Sequence, residues 1–279
     1  MRIGFVGAGK VGCTLGLYLS QNHEIVGYAS RSSASAEYAA ELCGSEAFND
    51  TSELVGRCDL LYVTTPDDVI GTVWEALAKD SEIRSTLKGK FIAHASGSLS
   101  SEVFVQAKEL GAYPYSTHPL FAIASKTDSA KELGDALFVI EGAEEHLSEI
   151  TKLFSTLGNR TQTINTEDKT RYHAAAVLAS NHVVSLYSLA AKELERCGFT
   201  AEDACNALSP LFLGNARNLA KLGPISCLTG PAERGDIQTI NKHLEVLEGD
   251  THDVYELLNN EALAIAKAKR KLNAQQSRK

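Results

Sequence analysis

Along positions 1–165, short apolar runs alternate with stretches of helical period. The runs at 2–6, 24–28, 46–48, 59–64, 90–95, 112–116, 137–141 and 161–164 predict strands. Between them, 11–21, 34–43, 68–79, 100–110 and 144–157 predict helices. Strand and helix alternating at this spacing predict a parallel sheet covered on both faces, a doubly wound α/β domain. After Gly111 the connections shorten, which predicts partly antiparallel pairing among the last strands.

After Asn165 the strand signals stop. This places a boundary there, with 1–165 as the sheet domain and 166–279 as an all-α domain. Residues 168–196 predict one long helix, closed by Gly198 in a left-handed cap. Thr200 and Asp203 form a capping box for the next helix. A further helix runs from about Pro210 to Leu222, where Gly223-Pro224 stops it. The loop 228–236 precedes a helix to Leu247, with Asp236 as its cap. A last helix over about 252–272 leads into a charged tail expected to fray.

The long helix is apolar on nearly all sides between 174 and 190. It contains Asn181 and His182, so it reads as a buried helix rather than a membrane span. A helix apolar all round must be enclosed. Neighbouring helices of the same chain could do this, but a second copy is the preferred reading, so a homodimer is expected.

Composition narrows the partners. A chain of 279 residues is long enough for two cores. A formal charge of −8 without a basic stripe argues against nucleic acid. The first strand begins at residue 2, so no N-terminal signal is expected. Six cysteines form no Cys-x-x-Cys pair, which suits reduced, buried thiols in a cytoplasmic protein. The eight histidines lack metal-ligand spacing, so no metal is expected.

The first strand runs directly into Gly7-Ala8-Gly9-Lys10-Val11-Gly12, and Val11, Leu15 and Leu19 then mark a helix. In such a strand–turn–helix the first glycine permits a tight turn. The second admits a pyrophosphate, and the third allows close helix–strand packing. The anion rests on unpaired N–H groups at the helix N-terminus. About 20 residues past the glycines, where an acid would select a free ribose hydroxyl, the chain has Ser30-Arg31-Ser32-Ser33. A guanidinium flanked by hydroxyls favours a 2′-phosphate, and NADP(H) is the expected cofactor. The serines could equally cap the following helix.

Open parallel sheets bind ligands beyond the carboxyl ends of their strands. Thr65 and Pro66 there can line the nicotinamide side, while Asp67 or Asp68 can cap a helix. His94 alternates with apolar residues and reads as a core histidine, and Ser96 and Ser98 can cap the next turn. His118 ends a strand before Pro119, outside any apolar period, and reads as functional. His173, Val177 and Asn181 are four apart, so His173 and Asn181 could donate to a substrate oxygen or serve the helical core. Arg234 could hold a substrate carboxylate or anchor its loop.

Four segments together carry a resemblance: His94-Ala-Ser-Gly-Ser98, Thr117-His-Pro-Leu120, Tyr172-His-Ala-Ala-Ala-Val-Leu-Ala-Ser-Asn181 and Leu228-Thr-Gly-Pro-Ala-Glu-Arg-Gly-Asp236. Over almost its whole length the chain resembles a bacterial family that joins a Rossmann-like NADP-binding domain to a helical domain of unknown function. That resemblance implies NADP binding and a helical dimerisation domain, with no established substrate. More distantly the layout is similar to 6-phosphogluconate, hydroxyisobutyrate and ketopantoate-type dehydrogenases and to pyrroline-carboxylate reductases. Several of these carry a catalytic lysine four residues before an asparagine. With Asn181 as that asparagine, the lysine position holds Val177. Prephenate-type dehydrogenases use a histidine in a His-Pro segment and a preceding serine, a pattern similar to His118-Pro119 and Ser96.

The expectation is an NADP-dependent oxidoreductase acting on a small carbonyl, imine or hydroxy substrate in a cleft between the domains. His118 is then the acid/base group, Ser96 orients substrate or cofactor, and His173 and Asn181 polarise. The alternative is a non-catalytic NADP(H) sensor or interaction protein, as Val177 suggests.

Overall fold

A computed structural model describes residues 1–276. Met1–Ser180 form one compact unit, and a second begins at Asn181. The first unit is built on eight strands, β1 (Arg2–Val6), β2 (Glu24–Ala29), β3 (Glu46–Phe48), β4 (Leu60–Val63), β5 (Phe91–His94), β6 (Tyr113–Pro119), β7 (Phe138–Gly142) and β8 (Thr161–Thr163). They form one sheet in the order β3-β2-β1-β4-β5-β6-β7-β8. β1 to β6 pair in parallel, β7 is antiparallel to β6, and β8 is parallel to β7. The expected reversal therefore falls at β7, and β6 stays parallel.

Eight helices accompany these strands: α1 (Lys10–Leu19), α2 (Ser33–Cys43), α3 (Thr51–Arg57), α4 (Asp67–Lys79), α5 (Ser81–Thr86), α6 (Asp128–Glu132), α7 (Leu147–Ser155) and α8 (Lys169–Ala179). Each sheet face carries a separate core. Leu15, Leu19, Ala39, Ile150 and Phe154 pack on one face; Leu54, Trp74, Ile83 and Ile92 pack on the other. Across the parallel centre, Phe5 pairs in register with Tyr28 and Tyr62, and its ring stacks on both at centroid distances of 5.0 and 5.3 Å.

Two sequence expectations fail for local reasons. Residues 100–110 form no α-helix, but a short 3₁₀ turn at Ser101–Val103 followed by turns, with Gln106 at φ 62°. The indole N–H of Trp74 donates to the Val105 carbonyl at 2.8 Å, and Phe104 packs edge-on against the same ring. Both contacts fix this segment to α4 in place of a helical ladder. The helix expected over 168–196 breaks at Ser180, whose φ of −128° and ψ of −82° are not helical. The Ser180 hydroxyl donates back to the Ala176 carbonyl at 2.7 Å, a local bond that competes with the helix ladder.

The described part of the second unit is built of helices alone: α9 (Asn181–Arg196), α10 (Ala201–Cys227), α11 (Pro231–Arg234), α12 (Ile237–Val246) and α13 (Gly249–Gln276). The cap signals hold here. Thr200 accepts from the Asp203 amide at 3.1 Å, Asp236 accepts from the Thr239 amide, and Gly198 has φ +93°. α10 runs through Pro210 as one helix and breaks only at Gly223. α13 stays helical to Gln276, and the last three residues of the expected fraying tail lie outside the described residues.

The apolar helix 174–190 is not buried in a single chain. Leu178 is 62% and Val184 71% exposed. By length and composition alone Thr166–Arg196 would suffice to cross a membrane. The cysteines are free thiols, but only Cys13 and Cys58 are buried; Cys197 and Cys205 lie exposed.

Candidate active site

Gly9 caps α1 without a side-chain bond, and no acid lies in the first turn, so no carboxylate of that turn pairs its leading N–H groups. The three glycines have three distinct reasons. Gly7 adopts φ +112°, and a Cβ there would meet the Thr64 backbone at 2.8 Å. A Cβ on Gly12 would lie 2.4 Å from the Gly7 carbonyl. A Cβ on Gly9 would meet nothing within 4 Å, because it would project into open space. That space belongs to a cavity of about 670 Å³ lined by Gly7, Ala8, Gly9, Ser30, Arg31, Ser32, Thr65 and Pro66 among others. Lys10, Val11 and Gly12 form the first turn of α1 beside it.

The far end of the cavity is cationic. Arg31 and Lys126 line it with the hydroxyls of Ser30, Ser32 and Ser35, and among the described residues no Asp or Glu does. Ser32, which lines the cavity, also accepts the Ser35 amide as the cap of α2, the alternative role the sequence offered. Lys126 was not foreseen. It comes from the loop after β6, where Thr14 of α1 donates to the Ser125 and Lys126 carbonyls. Its ammonium lies 4.9 Å from the Tyr38 ring centroid.

At the other end, Thr65 and Pro66 lead into α4, and Asp67 ties this edge to the β5 loop. Asp67 accepts from Ser96 Oγ at 2.6 Å and from Ser98 Oγ at 3.1 Å. Ser96 Oγ in turn accepts the amides of Ser98 and Leu99. Ser96 therefore shapes the turn that holds Gly97, and its proton is committed to a carboxylate. His94 is fully buried. Its Nδ1 accepts from the Ser96 amide, so Nε2–H donates to the Ser100 carbonyl at 3.1 Å. Burial pushes its pKa down to about 4, and it acts as a neutral core brace.

Gly97 sits between two imidazoles. A Cβ there would lie 2.4 Å from His173 Nδ1 and 2.9 Å from His118 Nε2. The His118 and His173 rings meet edge to face at 6.1 Å. His118 Nδ1 is 2.6 Å from the Tyr172 hydroxyl. Desolvation, helped by the nearby Lys169 and His173, pushes His118 down to about 3, so the ring is neutral. Two buried polar atoms, Thr65 Oγ1 and His173 Nδ1, have no hydrogen-bond partner among the described residues. Such atoms are costly unless something satisfies them, and these two fit a polar ligand.

Behind His118 lies Lys169, only 2% exposed. Its ammonium donates to Ser116 Oγ at 2.5 Å, and burial lowers its pKa to about 8, offset by Glu141 and Asp67. Glu141 faces Ser116 across β6 and β7 and accepts from Ser101 and Thr166. Sequence reading missed Lys169 and Tyr172. Their spacing to His173, four and one on α8, was the available signal. Asn181 opens α9 and Arg234 ends α11, so both belong to the second unit. The break at Ser180 also ends the helical period that aligned Asn181 with His173 and Val177.

Two family models cover most of the chain. Residues 1–119 match a Rossmann-like domain and residues 136–262 match a domain of unknown function, DUF2520. The chain is a Rossmann-like domain joined to DUF2520. No curated protein matches it. Among solved structures it is similar to a protein from Thermotoga maritima, at 27% identity and a TM-score of 0.75, covering 96% of this chain and 99% of that one. It is also similar to a candidate NADP oxidoreductase of Bacteroides fragilis, at 26% identity and TM-score 0.67, covering 94% and 98%. An imine reductase of Myxococcus stipitatus in complex with NADP⁺ shares the fold at 16% identity and TM-score 0.61, covering 99% and 95%. The Rossmann-like plus DUF2520 composition agrees with the family resemblance carried by the four sequence segments.

Proposed function

We propose that this chain is a cytoplasmic NADP-dependent oxidoreductase acting on a small carbonyl, imine or hydroxy substrate. The observation that carries this reading is the continuity of one polar wall. Thr65 and Pro66 line the dinucleotide cavity, Asp67 anchors the Ser96 turn, and Gly97 of that turn touches His118 and His173. A nicotinamide bound there would supply or accept hydride. The chain's own residues place a neutral imidazole donor, His118, beside an unpaired His173 Nδ1. The Bacteroides fragilis relative, by its name, supports the same chemistry.

The cofactor assignment rests on charge. Arg31 and Lys126, with three serine hydroxyls and no carboxylate, suit the dianion of a 2′-phosphate. The alternative, a non-catalytic NADP(H) sensor, draws on Val177 in place of the lysine of distant relatives. The two separate by turnover. Purified protein should oxidise NADPH with some member of a panel of ketones, aldehydes and imines. His118→Ala should then lower that rate by roughly 10²–10⁴-fold with NADPH affinity unchanged. Binding without turnover across the panel supports the sensor.

We further propose that a second copy of the chain covers the helical unit. Among its described residues the buried apolar ones are small or few, Ala191, Ala204, Ala232, Ile240 and Ala266, while Leu211, Phe212, Leu219 and Leu257 stand exposed. A helical unit that exposes this many large apolar side chains and buries so few suits an interface with another copy.

A further inference from the structure

We infer that Tyr172 is a positioning residue: its hydroxyl donates to His118 Nδ1, which fixes the proton on Nε2 beside Gly97, where it can be given to the oxygen or nitrogen of a carbonyl or imine substrate. The catalytic consequence rests on the oxidoreductase reading; the placement of the proton does not.

The 2.6 Å bond between Tyr172 and His118 has two possible directions. Of two neutral partners, a phenol is the stronger acid and an imidazole nitrogen the stronger acceptor, so the phenol donates. The surroundings reinforce this. The groups that face His118 are Lys169, Tyr172 and His173 on α8, Asp67 on α4 and His94 on β5. Lys169, as the charged neighbour on its own side, opposes an imidazolium; Asp67 alone favours one. The Lys169 ammonium also lies 5.6 Å from the Tyr172 ring centroid, within reach of a cation–π attraction. Burial keeps that phenol protonated, pushing it up to about 12.

With Nδ1 occupied as acceptor, Nε2 carries the only ring proton and borders the space next to His173 Nδ1. In this state it can donate to a carbonyl oxygen or a neutral imine nitrogen; taking a proton from an alcohol requires the same relay to run in reverse through Tyr172. On reduction by a nicotinamide, the carbonyl carbon gains hydride and the oxygen gains the Nε2 proton. As the Nε2 proton leaves, the phenolic proton passes to Nδ1; after product release it returns to the Tyr172 oxygen, and Nε2 takes up one proton from solvent. Atoms and charge balance, and the ring ends as the same neutral species. Lys169, held by Ser116, places a positive charge near this pair on the same helix as Val177.

The test is nitrogen-15 NMR of histidine-labelled full chain, reading which ring nitrogen is protonated, with the His118 signal assigned by its loss in His118→Gln. The expected result is Nε2–H at neutral pH, persisting to pH 5. In Tyr172→Phe the ring should shift to Nδ1–H or a tautomer mixture. Where turnover exists, the same variant should lower kcat for reduction by about 10²-fold and leave NADPH affinity unchanged. An Nδ1–H ring or an imidazolium in the unaltered protein overturns the inference, as does an unchanged tautomer in Tyr172→Phe. The wild-type spectrum decides the first point even if the variant does not fold. Absence of turnover with every acceptor would overturn the oxidoreductase reading, while the tautomer would still decide the role of Tyr172.

Discussion

Arg31 shows what a single residue can carry. Its guanidinium lines the cavity at the end of β2, where a free ribose hydroxyl would call for a carboxylate. A charge-assisted hydrogen bond contributes about 1.5–3 kcal/mol, so Arg31→Ala should weaken NADPH binding by about 10- to 100-fold and NADH binding far less. Fluorescence titration of both coenzymes reads this, and equal losses would contradict it. Lys126 shares the cavity, so part of the effect remains in that variant. Arg31 was legible because it follows the glycines at a fixed distance in sequence. Lys126 was not, because its place depends on Thr14 holding a loop more than 100 residues away. The same contrast divides the histidines. They were partly legible, His94 inside an apolar alternation and His118 outside one, but the Ser96 amide and the Tyr172 hydroxyl that set each ring became visible only in the fold.

At the scale of an element, β5 carries a cost that pH can expose. His94 is neutral in the fold, with its pKa lowered from 6.5 to about 4. Between those values the unfolded chain takes up a proton that the folded one refuses. Stability is therefore full above pH 6.5 and falls below it, by about 1.4 kcal/mol per pH unit for this group. His118 acts in the same direction. Urea midpoints should drop between pH 7 and pH 5, and the drop should shrink in His94→Gln. Equal drops in both proteins would contradict the assignment of His94 as a buried neutral brace. All eight strands were legible from apolar runs, since each is a short, self-contained signal. The 100–110 segment misled because its spacing is helical while Trp74 claims one of its carbonyls. Ser180 misled in the other direction: a small polar residue in an apolar run gives little sign of a break until its hydroxyl is seen bonded to Ala176.

The whole molecule joins a well-filled sheet unit to a helical unit with little core of its own. The sheet unit buries Trp74, Tyr28, Tyr62 and Phe5 completely, whereas the helical unit leaves Phe212 and several leucines exposed. A second copy on that face should give a dimer mass by light scattering at micromolar concentration. Leu211→Glu combined with Leu219→Glu should shift it toward monomer. A monomeric mass for the unaltered chain would contradict the proposal, and association with lipid vesicles would assign the face to a membrane instead. This feature was half legible. The apolar period announced a covered helix, but a one-dimensional pattern does not say whether the cover comes from the same chain.

The account stands on a dinucleotide seated against Gly7, Gly9 and the opening turn of α1. Calorimetric titration of the full chain with NADPH and NADH tests it most directly. The account predicts saturable NADPH binding at a 1:1 ratio per chain, tighter than NADH by at least about tenfold, and abolished in Gly9→Glu, whose carboxylate would fill the open space above the turn. No heat with either coenzyme, or binding that survives Gly9→Glu unchanged, would contradict it.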